Sequence, residues 1–213
     1  MKPTGWILVA ANALPIFGVL FLGWDIHSAL VLFWSENLVT GLFTVLRIAF
    51  AKGELPMKIF LIPFFLFHFG MFTAVHGVFV AFLVAGPERG LEDPFATLGA
   101  LLFTVWPGVI ALLVSHGASF WMNYVKGGER FTTSPDKEMM RPYNRVVTLH
   151  VTIIAAAFLL AALGSLNAKP AGFATQVPAL VLVIMKILVD AASHHRSHSD
   201  RGPGPAAAPP IMP

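Results

Sequence analysis

The sequence predicts an all-α polytopic membrane bundle of six transmembrane helices, with both termini inside. Three observations predict it. Hydrophobic residues make up 56% of the 213 and charged residues only 12%, half of the roughly 25% charge that keeps an ordinary soluble domain in water. The apolar residues form runs of bilayer-crossing length, such as Ile59 to Pro87, which holds no Asp, Glu, Lys or Arg. Lys and Arg fall almost wholly on one side of a six-span thread. Mean hydropathy, +0.75, agrees.

Six spans follow in order. Thr4–Leu22 comes first; Asn12 and Pro15 at its middle, with no small-residue cleavage site after it, mark a span rather than a signal peptide. A tight turn at Gly23–Asp25 leads to Ile26–Phe50, and Ile59–Val84 is third. The fourth, Phe95–Tyr124, is over-long, and Trp106-Pro107 is expected to kink it. Tyr143–Leu166 and Phe173–His194 complete a transmembrane domain over residues 1–198. The Pro/Ala-rich remainder, 199–213, reads as a disordered cytoplasmic tail.

Orientation comes from charge. With the N-terminus inside, Lys2, Arg47, Lys52, Lys58, Lys126, Arg130, Lys137, Arg141, Arg145, Arg196 and Arg201 all lie inside. Arg89 and Lys169 lie outside, and Lys186 sits within a span. The expected location is the inner membrane of a cell, with lipid as the one predicted partner. Basic residues confined to loops exclude a nucleic-acid face. Trp6 and Trp24 bracket the first span, and Trp121, Tyr124 and Tyr143 fall where an inner aromatic belt belongs.

Threading turns position into depth. Glu36, Asn37 and His68 are placed near the midplane and His76 in the outer half. His116, His150, Lys186, Asp190 and His194 are placed toward the cytoplasmic side, so two polar layers are expected. Lys186, Asp190, His194 and His198 recur every four residues as one stripe; His116, Ser119 and Asn123 form another, and Glu36, Thr40 and Thr44 a third. His68 and His76 lie about 12 Å apart along one helix and cannot share a metal ion. An ionisable residue in hydrocarbon is a candidate functional residue.

The motifs "LPIFGVLFLGWD", "FWSEN", "HFGMF…HGVF", "SHGASFWMNY", "MRPYNRVVTLH" and "KILVDAASHHRSH" span Leu14 to His198. Together they resemble an uncharacterised bacterial integral membrane protein family, domain of unknown function 6498. The resemblance implies a multi-pass helical protein and supplies no activity, substrate or cofactor. The polar positions it matches are Glu36, Asn37, His68, His76, His116, Asn123, His150, Lys186, Asp190 and His194.

From the residues alone, His116, His150, Asp190 and His194 are candidate ligands of a metal such as Zn or Fe, since the chain has no cysteine to offer thiolate. Asn123 and Ser119 are the nearest candidates to orient an imidazole. The same histidines also suit a purely structural polar network, and Lys186 and Asp190 an internal ion pair. Glu36 is expected to face the bundle, with Asn37 or His68 as partner. A carrier or proton relay through Glu36, His68 and Asp190 is the rival reading, and a structural subunit of a complex is a third. Haem needs opposed histidines at one depth, which His68 and His116 match only loosely. Ser115 and His116 are sequence neighbours on a helix and do not face each other, which argues against a hydrolase. Gly41, Gly70, Gly77, Gly108 and Gly117 are expected at close helix contacts.

Overall fold

Gly23 takes φ +69°, the left-handed conformation that ends a helix cheaply only for glycine. The Trp24 amide thereby donates back to the Gly18 carbonyl at 3.1 Å, and the Trp24 ring lies where a Cβ on Gly18 would be. Asp25 then caps the next helix, its Oδ1 accepting from the Ser28 amide and hydroxyl, each at 2.9 Å. The bond to His27 holds the Asp25 carboxyl well below the usual carboxylate range, against the opposing effect of burial. The expected tight turn is therefore present.

In this computed structural model the described residues are 15–165, 178–184, 186 and 187. Helix α1 covers 15–21, α2 Ile26–Phe50, α3 Leu55–Glu92, which is broken at Gly86 (φ +80°, ψ 173°), and α4 Pro94–Leu102. Helix α5, Trp106–Ser119, runs on as a π-helix over Phe120–Lys126. A 3-10 turn at Glu129–Phe131 and the short α6, Pro135–Met140, precede α7, Tyr143–Ser165. Helix α8 covers 178–184, with 186 and 187. No strand occurs among the described residues.

Among the described residues three helices are long and apolar enough to cross a membrane: Ile26–Phe50, Leu55–Gly86 and Trp106–Lys126. The first agrees with expectation residue for residue. The expected kink in the fourth span is a complete break over 103–105, after which Pro107 stands in the first turn of α5, where its missing N–H costs nothing. The apolar part of α7, Val146–Leu159, is shorter than the other three. Most of the expected first and sixth spans lies outside the described residues.

Helix α2 is the axis of the packing, with 61% of its apolar window buried against 33% for α3 and 17% for α5. The outer helices turn side chains such as Phe67, Phe79 and Val114 outward, as lipid contact requires. Helix α3 runs antiparallel to α2, and the Trp34 indole donates to the Thr73 carbonyl at 2.8 Å. Gly77 admits Leu98 and Trp34, Gly108 admits Leu32 and Trp24, and Gly41 admits Phe69. Gly117 makes only an ordinary contact with Phe43, and Gly70 faces open space, against expectation. Two belt aromatics also prove internal: Trp24 is buried between Gly18 and Gly108, and Tyr124 is fully buried. We call the end of the bundle carrying Arg47, Lys52 and Lys58 the basic end.

Candidate functional site in the bundle interior

Glu36 stands ten residues into α2, about 15 Å from its start. Its Oε2 lies 2.9 Å from the Lys186 Nζ of α8, and both side chains are largely buried. The ammonium also sits 5.2 Å from the Phe33 ring centre. Beside the pair is a cavity of about 20 Å³, walled by Phe33, Asn37, Thr148, Leu149 and Thr152. Asn37 donates to the Phe33 carbonyl at 3.3 Å and Thr152 to the Thr148 carbonyl at 2.8 Å, so local bonds orient both side chains at the cavity.

On the other side of α7, His150 Nδ1 meets His76 Nε2 of α3 at 3.1 Å. His76 Nδ1 lies 2.7 Å from the Phe72 carbonyl and must carry the proton there. In a neutral His76 ring Nε2 is then an acceptor, so His150 Nδ1 donates. About two turns nearer the basic end, His68 Nδ1 lies 2.8 Å from the Tyr143 hydroxyl. The two contacts fix α3 and α7 as parallel neighbours, with His68 level with Tyr143 and His76 level with His150.

These contacts merge the two expected layers. Lys186 and His150, placed by threading toward the cytoplasmic side, lie against Glu36 and His76. The partner of Glu36 is Lys186, in place of the expected Asn37 or His68, while His68 meets Tyr143. Because Trp34 pairs with Thr73 and packs on Gly77, the histidine level with Glu36 is His76; His68, beside Phe69, lies nearer the basic end. The expected depths assume that every span starts at one level, and α7 does not. The 3-10 turn and α6 occupy the basic end, so Tyr143 begins α7 already level with His68.

Of the four candidate metal ligands, Asp190 and His194 lie outside the described residues, as does any Lys186–Asp190 pair. His116 turns its Nδ1 to the Leu112 carbonyl at 3.0 Å and stacks on Phe43. Among the described residues no three His, Asp or Glu side chains converge as metal ligands. Asn123 donates to the Ser119 hydroxyl at 3.2 Å within the π-helical stretch.

A second cluster, not anticipated from sequence, closes the basic end. Arg47 Nη1 lies 3.5 Å from Glu129 and 3.6 Å from Glu138, and Arg141 pairs with both carboxylates. The Arg47 guanidinium covers the Tyr124 ring at 4.6 Å, and the Tyr124 hydroxyl donates to the Arg47 carbonyl at 2.6 Å. Glu138 is fully buried. Burial alone would raise the Glu129 carboxyl, but the bond to Arg141 and the charge of Arg47 hold it below the usual range. The sequence signal lay in the paired signs of Glu129, Glu138 and Arg141, which read only as loop charges.

These features define a helical protein with candidate membrane-crossing helices and a polar site among them. The chain belongs to DUF6498, a family of unknown function whose model matches residues 1–207. No curated protein and no solved structure matches it.

Proposed function

We propose that this protein is a proton relay in a six-span membrane domain, with both termini cytoplasmic and the Glu36–Lys186 pair as its central station. The ion pair at 2.9 Å beside a cavity of about 20 Å³ carries this reading. That volume suits about one water molecule and is too small for an organic solute. It therefore favours proton transfer over carriage of a larger substrate. A buried ion pair is weak as a device for stability, because desolvation offsets its attraction. Moving one proton from Nζ to Oε2 turns the ion pair into a neutral pair without displacing either helix. Thr148 and Thr152 supply hydroxyls at the cavity wall, and His76–His150 forms a second hydrogen-bonded pair on the far side of α7.

The test is proton flux into proteoliposomes under an imposed potential, read by an internal pH dye. Wild-type protein should conduct, and Glu36→Gln and Lys186→Met should each lose at least about tenfold. Equal flux in all three overturns the relay. Reporter fusions after Lys52, Lys126 and the C-terminus should read cytoplasmic, and those after Arg89 and Lys169 external.

A metal held by His116, His150, Asp190 and His194 is the second reading. The observation in its favour is that His76 engages His150 Nδ1, fixing the ring with Nε2 as the ligand atom. Zinc or iron content of protein purified without chelator decides it: wild type should carry stoichiometric metal, and His150→Ala and Asp190→Ala should each lose it. Metal-free wild-type protein ends this reading.

A further inference from the structure

Four buried hydroxyls of α2, α3 and α7 bond back to the preceding turn. Thr44 donates to the Thr40 carbonyl at 2.8 Å, Thr73 to Phe69 at 2.9 Å, Thr152 to Thr148 at 2.8 Å, and Ser35 to Leu32 at 2.7 Å. Each thereby satisfies itself on the preceding turn. Thr40 is buried to the same degree, yet its Oγ1 has no partner, the one such hydroxyl among the described residues. Buried polar atoms are almost always hydrogen-bonded, to protein or to ordered water.

The position of Thr40 gives the orphan a meaning. Thr40, Thr44 and Arg47 follow Glu36 along α2 and lie within about 80° of it around the helix. They descend from the Glu36–Lys186 pair to the basic-end cluster, a distance of about 16 Å. At the lower end both carboxylate oxygens of fully buried Glu138 also lack a hydrogen-bonded partner, although Arg47 and Arg141 stand 3.6 and 3.4 Å away. The unpartnered acceptors thus lie at the middle and the foot of one polar stripe.

We infer that this stripe is a water path that connects the Glu36–Lys186 pair to the basic end of the bundle, with the Thr40 hydroxyl holding a water midway. It deepens the relay reading by naming the side from which the central pair exchanges protons. In the opposite half of α2, Ala29, Leu30, Val31 and Leu32 are apolar and buried, so along this helix the polar stripe leads from Glu36 toward the basic end.

The chain contains no cysteine, so single cysteines report cleanly. Thr40→Cys and Thr44→Cys should react with a charged, membrane-impermeant methanethiosulfonate from the basic-end side, at least about tenfold faster than Leu38→Cys and Leu42→Cys, because only a hydrated thiol forms the reactive thiolate. Leu38 and Leu42 flank the stripe at similar depth and point outward. Thr40→Cys no faster than Leu42→Cys, or modified only from the opposite side, overturns the path. Should Thr40→Cys disturb folding, Thr44→Cys alone decides. Unreactive stripe cysteines with flux lost in Glu36→Gln would defeat the path and leave the relay. Reactive cysteines with flux unchanged in Glu36→Gln would defeat the relay and leave the path.

Discussion

At mid-bundle the ion pair Glu36–Lys186 joins two largely buried side chains beside Asn37, Thr148 and Thr152, whereas at the basic end Arg47 and Arg141 share Glu129 and Glu138 across α2, the 3-10 turn and α6. Both arrangements are neutral, but they are neutral in different ways. Removing one partner at mid-bundle takes away an opposite charge 2.9 Å from a largely buried side chain. At the basic end each carboxylate faces two guanidinium groups, and Glu129 also reaches water. The comparison teaches that burial and access to water, more than charge count, decide how much the loss of one charge matters.

The largest effect should come from reversing the mid-bundle charge. Glu36→Lys sets two ammonium groups together and should destabilise by about 3–5 kcal/mol, seen as loss of the monodisperse peak in detergent chromatography. The double variant Glu36→Leu with Lys186→Met should recover most of that peak. If Glu129→Lys proves as damaging as Glu36→Lys, the contrast between the two regions is broken. Glu138→Gln keeps the shape of a fully buried side chain but removes its charge; a loss of about 2 kcal/mol in thermal melts is expected. Glu129→Gln, at the partly solvated member, should cost about 1 kcal/mol or less.

Acid should produce the smallest and most diagnostic change. The folded Glu129 carboxyl lies below its ordinary value, so its contribution is present above the unfolded value near pH 4.3 and is lost as pH falls through the folded value. Melting temperatures of wild type and Glu129→Gln should therefore converge as pH drops below about 4. A difference that persists there would show that Glu129 acts through packing rather than charge.

The sequence made the helices legible where the apolar run and the helix coincide, as at Ile26–Phe50, and the Gly23 turn was legible because glycine beside a capping Asp has few other uses. The stripe Glu36, Thr40 and Thr44 could be read from spacing alone. Partners could not be read. Lys186 belongs to Glu36 across 150 residues of chain, and no periodicity connects them. Depth failed for a similar reason, because α6 and the 3-10 turn take up room at the basic end that a hydropathy count assigns to nothing. Thr148 and Thr152 were visible as polar interruptions of an apolar run, but only the fold turns them toward Glu36.

The length of α3 has a consequence for the bilayer itself. Leu55–Gly86 holds 32 residues, about 48 Å of helix where the hydrocarbon is about 30 Å thick. Even a tilt of about 40° leaves several ångströms over. At the far end the chain folds back beyond the Gly86 break, with Gly90 packed on Ala81 and the Thr97 hydroxyl donating to the Arg89 carbonyl. At the basic end Lys58 reaches the Ala49 carbonyl at 3.1 Å and ties the first turn of α3 to α2. If α3 crosses a bilayer, about one turn of it therefore lies outside the hydrocarbon even when the helix is tilted.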